Sequence, residues 1–272
     1  MGIVIYNLIC NLISYIYIYI MKAKIFKHKK IICLCVLLVC LLLIPRQYFI
    51  RETFHDDILK KIKDSFKLDN KGKIKIDNTC KFSGEGFGED HEIGECSIST
   101  QLIPLCKNVI EIGGGAGKVS HMINTILKNN NVHYQHIVVE PGERGTGNHG
   151  NINIYKNHDT FKDDYIVIKK LATELLISDF NILDDKPDCL YVDCEGCLYD
   201  FQNTEVGKYV LEHVTFVINE MDGNNENIIK QWRDNGFIEL ITGYGCGIAC
   251  ETKVYIKKTK IDDIYNKIKN KP

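Results

Sequence analysis

Asn108-Val-Ile-Glu-Ile-Gly-Gly-Gly-Ala-Gly117 carries an apolar strand straight into a turn with glycine at 113, 114, 115 and 117. Val119, Met122, Ile123, Ile126 and Leu127 then recur at helical spacing, so the local unit is strand, glycine turn, helix. A helix opened by such a turn aims backbone N–H groups outward at its start, where a ligand can meet them. The dinucleotide pattern GxGxxG begun at Gly113 needs a glycine at 118, and Lys118 stands there. A Walker phosphate loop fails too, because Gly117-Lys118 is followed by Val119 and position 112 is Ile. What fits is ExGxGxG, with Glu111, Gly113, Gly115 and Gly117, and with Gly114 inside the same bend.

A second apolar strand ends in Val138-Val139-Glu140-Pro141, 23 residues beyond Gly117. A carboxylate at that distance can accept both hydroxyls of a ribose. The alternation continues regularly: strand 108–112, helix 118–128, strand 135–140, a glycine-rich loop 141–151 and an apolar run 165–168. Strand 189–193, a helix near 198–211, strand 214–219 and helix 225–234 follow, with Gly236 closing the last helix. Two β-rich runs, 237–242 and 253–256, have no helical pattern between them. Repeated βα units predict an α/β fold, a Rossmann-like, mostly parallel sheet with helices on both faces. The closing pair predicts an antiparallel hairpin at its edge.

In such a sheet the ligand lies beyond the carboxyl ends of the strands. Those ends deliver Glu111, Glu140, Asp193, Glu220 and Asp222 to one rim. Pro187-Asp-Cys-Leu-Tyr-Val-Asp-Cys-Glu-Gly196, followed after a helix by Val214-Thr-Phe-Val-Ile-Asn-Glu220, carries a more specific likeness. Together with Glu111 to Gly117 and Glu140-Pro141, it resembles the FkbM-type methyltransferases, a class I family dependent on S-adenosylmethionine. The resemblance covers about residues 108–256. It implies S-adenosylmethionine as cofactor, held by Glu111, Gly113, Gly114, Gly115, Gly117 and Glu140, and O-methyl transfer onto a sugar or polyketide hydroxyl. The chain departs from the family at Leu198, where a glutamate is usual, and at Cys194 and Cys197, which read as space-filling.

Methyl transfer to a hydroxyl needs in-line approach and removal of a proton, so Asp193 or Glu195 is expected as the catalytic base. Two carboxylates could instead hold a divalent metal that acidifies the hydroxyl, although no metal ligand set is assigned. Asp193 could also cap a helix, and Glu195 could sit in a buried salt bridge. Glu220 and His149 are weaker candidates for substrate contact. Other readings stay open: a nucleotide-sugar or NAD enzyme, since Glu140 suits any ribose, and a methyltransferase-like binding module without catalysis.

The 272 residues are 45% hydrophobic and 25% charged, ordinary for one sizeable globular domain with accessories, and the net charge of −1 offers no global basic surface. Nucleic acid is therefore not the expected partner. The N-terminus departs from the average. Residues 31–45 carry no charge and follow Lys22, Lys24, Lys27, Lys29 and Lys30, the pattern of a signal-anchor. The run falls short of the ~20 residues of a full span, although Arg46 could snorkel. The lysine bias favours a cytoplasmic N-terminus and a single-pass membrane protein. Residues 1–20 form a further hydrophobic leader, and Met21 could itself open the anchor. The expected layout is leader 1–20, anchor 21–50, stem 51–78, methyltransferase domain 79–258 and charged tail 259–272.

Phe54, Ile58, Leu59, Ile62 and Phe66 predict an amphipathic stem helix over about 53–69. The acidic, glycine-rich stretch 84–94 reads as an entry loop, either solvated or with its carboxylates and His91 lining a site. Twelve cysteines are many. The spacings Cys194-x2-Cys197 and Cys246-x3-Cys250 admit a zinc reading, which is set aside because the first pair belongs to the FkbM-like segment.

Overall fold

Side chains alternate with a period of two along each central strand, and this divides the core between two helical layers. The computed structural model describes residues 55–130, 133–142, 153–183, 185–194, 197–221, 226–245 and 250–270. The chain divides into two units, Met1–Asp57 and Ile58–Pro272, and the sheet belongs to the second. In β1 (Asn108–Ile112), Val109 enters one layer while Ile110 and Ile112 enter the other. In β4 (Cys189–Val192), Cys189 and Tyr191 face the first layer, and Leu190 and Val192 the second. In β5 (Phe216–Glu220), Phe216 and Ile218 are separated from Val217 in the same way.

With β2 (Gln135–Val139), β3 (Ile166–Ile168), β6 (Phe237–Gly245) and β7 (Cys250–Lys257), the described residues form a sheet of seven strands in the order β3-β2-β1-β4-β5-β7-β6. The pairs among β1 to β5 are parallel, and β7 is antiparallel to both β5 and β6. Five strands thus follow the 3-2-1-4-5 order of doubly wound sheets, whose switch point lies between β1 and β4. The expected edge hairpin is present, with its second strand inserted beside β5. Both its strands outrun the expected 237–242 and 253–256.

Several boundaries differ from the sequence expectation. The helix expected near 198–211 is broken into α4 (Cys197–Phe201) and α5 (Glu205–His213), because the Thr204 side chain caps α5 by accepting from Gly207 N–H. Helix α1 (Ile93–Leu102) had no amphipathic signature to read, since Glu95, Ser97 and Ser99 are as buried as Ile98. Its serines answer their own backbone, Ser97 donating to the Ile93 carbonyl and Ser99 to that of Glu95. Helices α2 (Lys118–Asn129), α3 (Asn153–Phe161) and α6 (Glu226–Asp234) complete the βα units. The charged C-terminal stretch is helix α7 (Ile261–Lys269), and Ile261 and Ile264 bury into the first layer.

A helix over residues 55–64 matches the middle of the expected stem, and Ile58, Ile62 and Phe66 pack into that same layer. Among the described residues, no helix is long and apolar enough to cross a membrane. The expected leader 1–20 and anchor 21–50 lie outside the described residues.

Candidate functional site

At the switch point the chain leaves β1 through Gly113, whose φ of +90° favours glycine. A side chain there is excluded twice over, because an added Cβ would lie 1.7 Å from the Asp193 carbonyl oxygen. The bend therefore sits directly against the end of β4. Gly115 and Gly117 also have positive φ, and a Cβ on Gly114 would meet Val138 and Ile154. Glu140, just past β2, reaches this bend: its Oε2 accepts from Gly115 N–H at 3.0 Å and its Oε1 from Gly142 N–H at 2.9 Å. The glycine turn and the acid that closes the next strand are thus physically joined.

Glu111 occupies a different environment from the one the sequence pattern implied. Its Oε1 accepts from the Ser120 hydroxyl at 2.8 Å, and its Oε2 pairs with His136 Nε2 at 2.9 Å. The side chain is 1% exposed. As the fourth residue of β1 it shares the face of Val109, toward α2, so it fastens β1 to α2 and β2 beneath the crevice.

The ends of β4 and β5 bring acids together. Asp193 follows β4, with its N–H bonded to the Ile112 carbonyl at 2.9 Å, and its carboxyl shares a hydrogen bond with Glu220 at the end of β5. Burial, reinforced by that hydrogen bond, pushes Asp193 well above the usual carboxylate range. Glu95 of α1 also hydrogen-bonds Glu220, and burial first, then Glu220, pushes it up to about 8. Glu195, Asp222 and His149 lie outside the described residues.

Cys194 and Cys197 are not merely space-filling, because they are joined in a disulfide with Cα atoms 5.4 Å apart. That separation is ordinary for a bridge. Cys250 is also disulfide-bonded. The zinc reading loses its thiolates, since a bridged sulfur is not the anion that zinc binds.

Lys118 and Glu95 were not foreseen beside the crevice, whereas Glu92 and His91 belong to the entry loop whose side chains could line a site. Glu92, at φ +47°, places Oε1 only 3.5 Å from where a Cβ on Gly115 would lie, and it pairs with His91 at 3.0 Å. Hydrogen bonding to Glu92 holds the His91 imidazolium above its usual range. Lys118, fully buried, donates to the carbonyls of Gly88 and Glu89 and lies over the rings of Phe82 and Phe87. The segment 84–92 is thus pinned beside the glycine turn. Lys118 had a signal, its place directly after the last glycine, whereas Glu95 sat in a helix that sequence periodicity did not reveal. A separate cavity of about 390 Å³, lined by His133, Tyr134 and Asp164 among others, lies at the amino ends of β2 and β3, away from this chemistry.

No protein-family model matches the chain, and no curated protein matches it. Among solved structures it is similar to the O-methyltransferase from Bacillus cereus in complex with S-adenosylhomocysteine, at 14% identity and TM-score 0.43, covering 60% of this chain and 80% of that one. It is also similar to the O-methyltransferase TomG from Streptomyces achromogenes, involved in tomaymycin synthesis and in complex with S-adenosylmethionine, at 12% identity and TM-score 0.40, covering 60% and 79%. A Streptococcus agalactiae protein of the NADB-Rossmann superfamily matches at 15% identity and TM-score 0.43, covering 61% and 72%. The chemistry of this chain is argued from its own site.

Proposed function

We propose that the chain is an S-adenosylmethionine-dependent O-methyltransferase of FkbM type, tethered to a membrane through residues 21–50 and acting on a hydroxyl of a glycan or glycolipid. The observation that carries this reading is the Glu140 carboxylate hydrogen-bonded to Gly115 N–H at 3.0 Å. It unites a glycine bend with a ribose-reading acid, and an ionised carboxylate has about four acceptor sites, so it can receive ribose hydroxyls beside backbone N–H groups. Bound there, S-adenosylmethionine supplies an activated methyl group that brings its own leaving group.

The chain's task is then positioning and proton removal. Asp193 stands across Gly113 from the cofactor bend. Asp193 would act in its ionised form, and a carboxylate raised by burial is, once ionised, a stronger base than an ordinary one. With the methyl donor held at the bend, Asp193 in its ionised form would take the proton of the acceptor hydroxyl. Glu195, two residues on, is the second proposed base.

Calorimetry tests the cofactor: heat on titration with S-adenosylhomocysteine and none with NAD is expected, and the reverse overturns the proposal in favour of a dinucleotide enzyme. Transfer of labelled methyl to candidate saccharides tests the reaction. Turnover unchanged in both Asp193→Asn and Glu195→Gln removes the base assignments, and cofactor binding without any transfer leaves a binding module.

A further inference from the structure

We infer that the junction of α1, β5 and β7 is a binding site for a hard divalent cation of the magnesium or manganese kind, held by the carboxylates of Glu95 and Glu220 and the hydroxyl of Thr252. Three elements far apart in sequence bring these groups together. Glu220 and Thr252 are register partners across β5 and β7, so their side chains share a face of the sheet. Helix α1 lies close over that face: a Cβ on Gly94 would fall 2.1 Å from the Tyr244 carbonyl.

The space itself is left by Gly245. A Cβ placed there would lie 2.7 Å from Thr252 Oγ1 and 2.9 Å from Glu95 Oε1, with the Cys250 sulfur at 2.8 Å. Glu95 and Glu220 each offer a carboxylate oxygen, within 4.8 Å of one another and of the Cys250 sulfur. In an octahedral shell with ligands at about 2.1–2.4 Å, opposite ligands stand about 4.2–4.8 Å apart, so the spread suits one shared ion.

A cluster of acids is common without a cation, and the observation that points to a ligand here is Thr252. It is 0% exposed, and its hydroxyl has no hydrogen-bond partner among the described residues while facing this space. A buried hydroxyl left so is destabilising, and a cation would use its lone pairs. Tyr191, equally buried and with its hydroxyl in the same condition, feels Glu95 and Asp193 most strongly among the nearby charges.

The donor set decides the kind of metal. Cys250 is disulfide-bonded and offers no thiolate, so oxygen donors remain, and oxygen donors select hard cations over zinc. Asp193, hydrogen-bonded to Glu220, links this site to the crevice. The further consequence, that the cation polarises an acceptor oxygen beside Asp193, rests on the methyl-transfer reading; binding of the cation does not.

The test is titration of the full-length chain with manganese, following the resonance spectrum of the free ion. One ion per chain is expected, competed by magnesium, with affinity falling about tenfold or more in Glu95→Gln and Glu220→Gln and several-fold in Thr252→Val, since charge and ligand count set affinity. Gln has the shape of a protonated Glu, and circular dichroism checks folding; should Glu95→Gln not fold, the other two variants decide. No bound manganese in the wild type, or binding indifferent to the variants that fold, overturns the site. S-adenosylhomocysteine binding without manganese binding leaves the cofactor reading standing, and manganese binding without it leaves only the cation site.

Discussion

At the end of β2 the Glu140 carboxylate accepts from the N–H groups of Gly115 and Gly142, whereas at the end of β4 the Asp193 carboxyl shares a hydrogen bond with another acid, Glu220. Both are acids just beyond parallel strands of one sheet, yet their surroundings oppose each other. Backbone dipoles stabilise the negative charge of the first. Burial and neighbouring carboxylates destabilise that of the second, and Glu92 and Glu95 add to the effect. The first half of the rim is therefore a settled holder, suited to a ligand's hydroxyls. The second crowds acids whose negative charge burial and mutual repulsion disfavour, and a cation set among them would relieve that repulsion.

The sharpest way to break this comparison is to push the halves apart where they touch. Gly113→Ala puts a Cβ against the Asp193 carbonyl at a positive φ, and a loss of at least about 3 kcal/mol, or no folded protein, is expected. Gly236→Ala is the control, with φ +84° and nothing within 4 Å of the added atom, and should cost only about 1 kcal/mol. Equal losses in urea unfolding would show that contact between the halves contributes little.

The electrostatic contrast is tested by pH. Below the ordinary carboxylate value of 4.5, Glu95 is protonated in both folded and unfolded chains. Between 4.5 and about 8 the unfolded chain releases this proton and the folded one keeps it. Stability is thus greatest at the acid end of this window and falls as pH rises, by about 1.4 kcal/mol per unit for such a group. Asp193, also raised, adds in the same direction. With chelator present, Glu95→Gln should flatten the decline of unfolding free energy between about pH 5 and 8. Parallel profiles for the two proteins would mean that Glu95 is ionised in the fold.

Most of the fold was legible because its signals are local. The glycine bend, the strand ending at Glu140 and the helix after Gly117 are written in periodicity and turn residues, and Gly236 stops its helix at φ +84°. The acidic half was only partly legible. Asp193 and Glu220 could be placed at strand ends by counting, but Glu95 lies on a helix buried all round, and Thr252 reaches the site only because β7 runs antiparallel beside β5. Glu111 was placed by its motif, but its partners were not. Its motif gave it the correct position on β1, but motif spacing does not reveal that Ser120 and His136 take both its oxygens.

That distinction sharpens into paired variants. Glu111→Gln should cost about 1–3 kcal/mol of stability through the buried His136 contact, with S-adenosylhomocysteine affinity nearly unchanged. Glu140→Gln should weaken that affinity about tenfold or more, because hydrogen bonds to a charged group are worth about 1.5–3 kcal/mol. Calorimetry beside thermal melts separates the two. A larger affinity loss in the Glu111 variant would return that residue to the ligand.

The smallest expected effect concerns the covalent link beside the boundary. A Cβ on Gly113 would lie 2.9 Å from that of Cys194, so the Cys194–Cys197 disulfide starts where the two halves meet. With only two residues between its cysteines, the bridge closes a very short loop and removes little entropy from the unfolded chain, worth about 2 kcal/mol at most. Its larger consequence is positional, since Glu195 lies inside the loop. In a Cys194→Ala, Cys197→Ala double variant, unfolding free energy should fall by no more than about 2 kcal/mol. On the proposed division of roles, S-adenosylhomocysteine affinity should hold with the Glu140 half intact, while methyl transfer should drop with the Asp193 half disturbed. A variant that loses cofactor affinity and transfer in equal measure would show that the two halves act as one unit, and the contrast between them would lose its functional meaning.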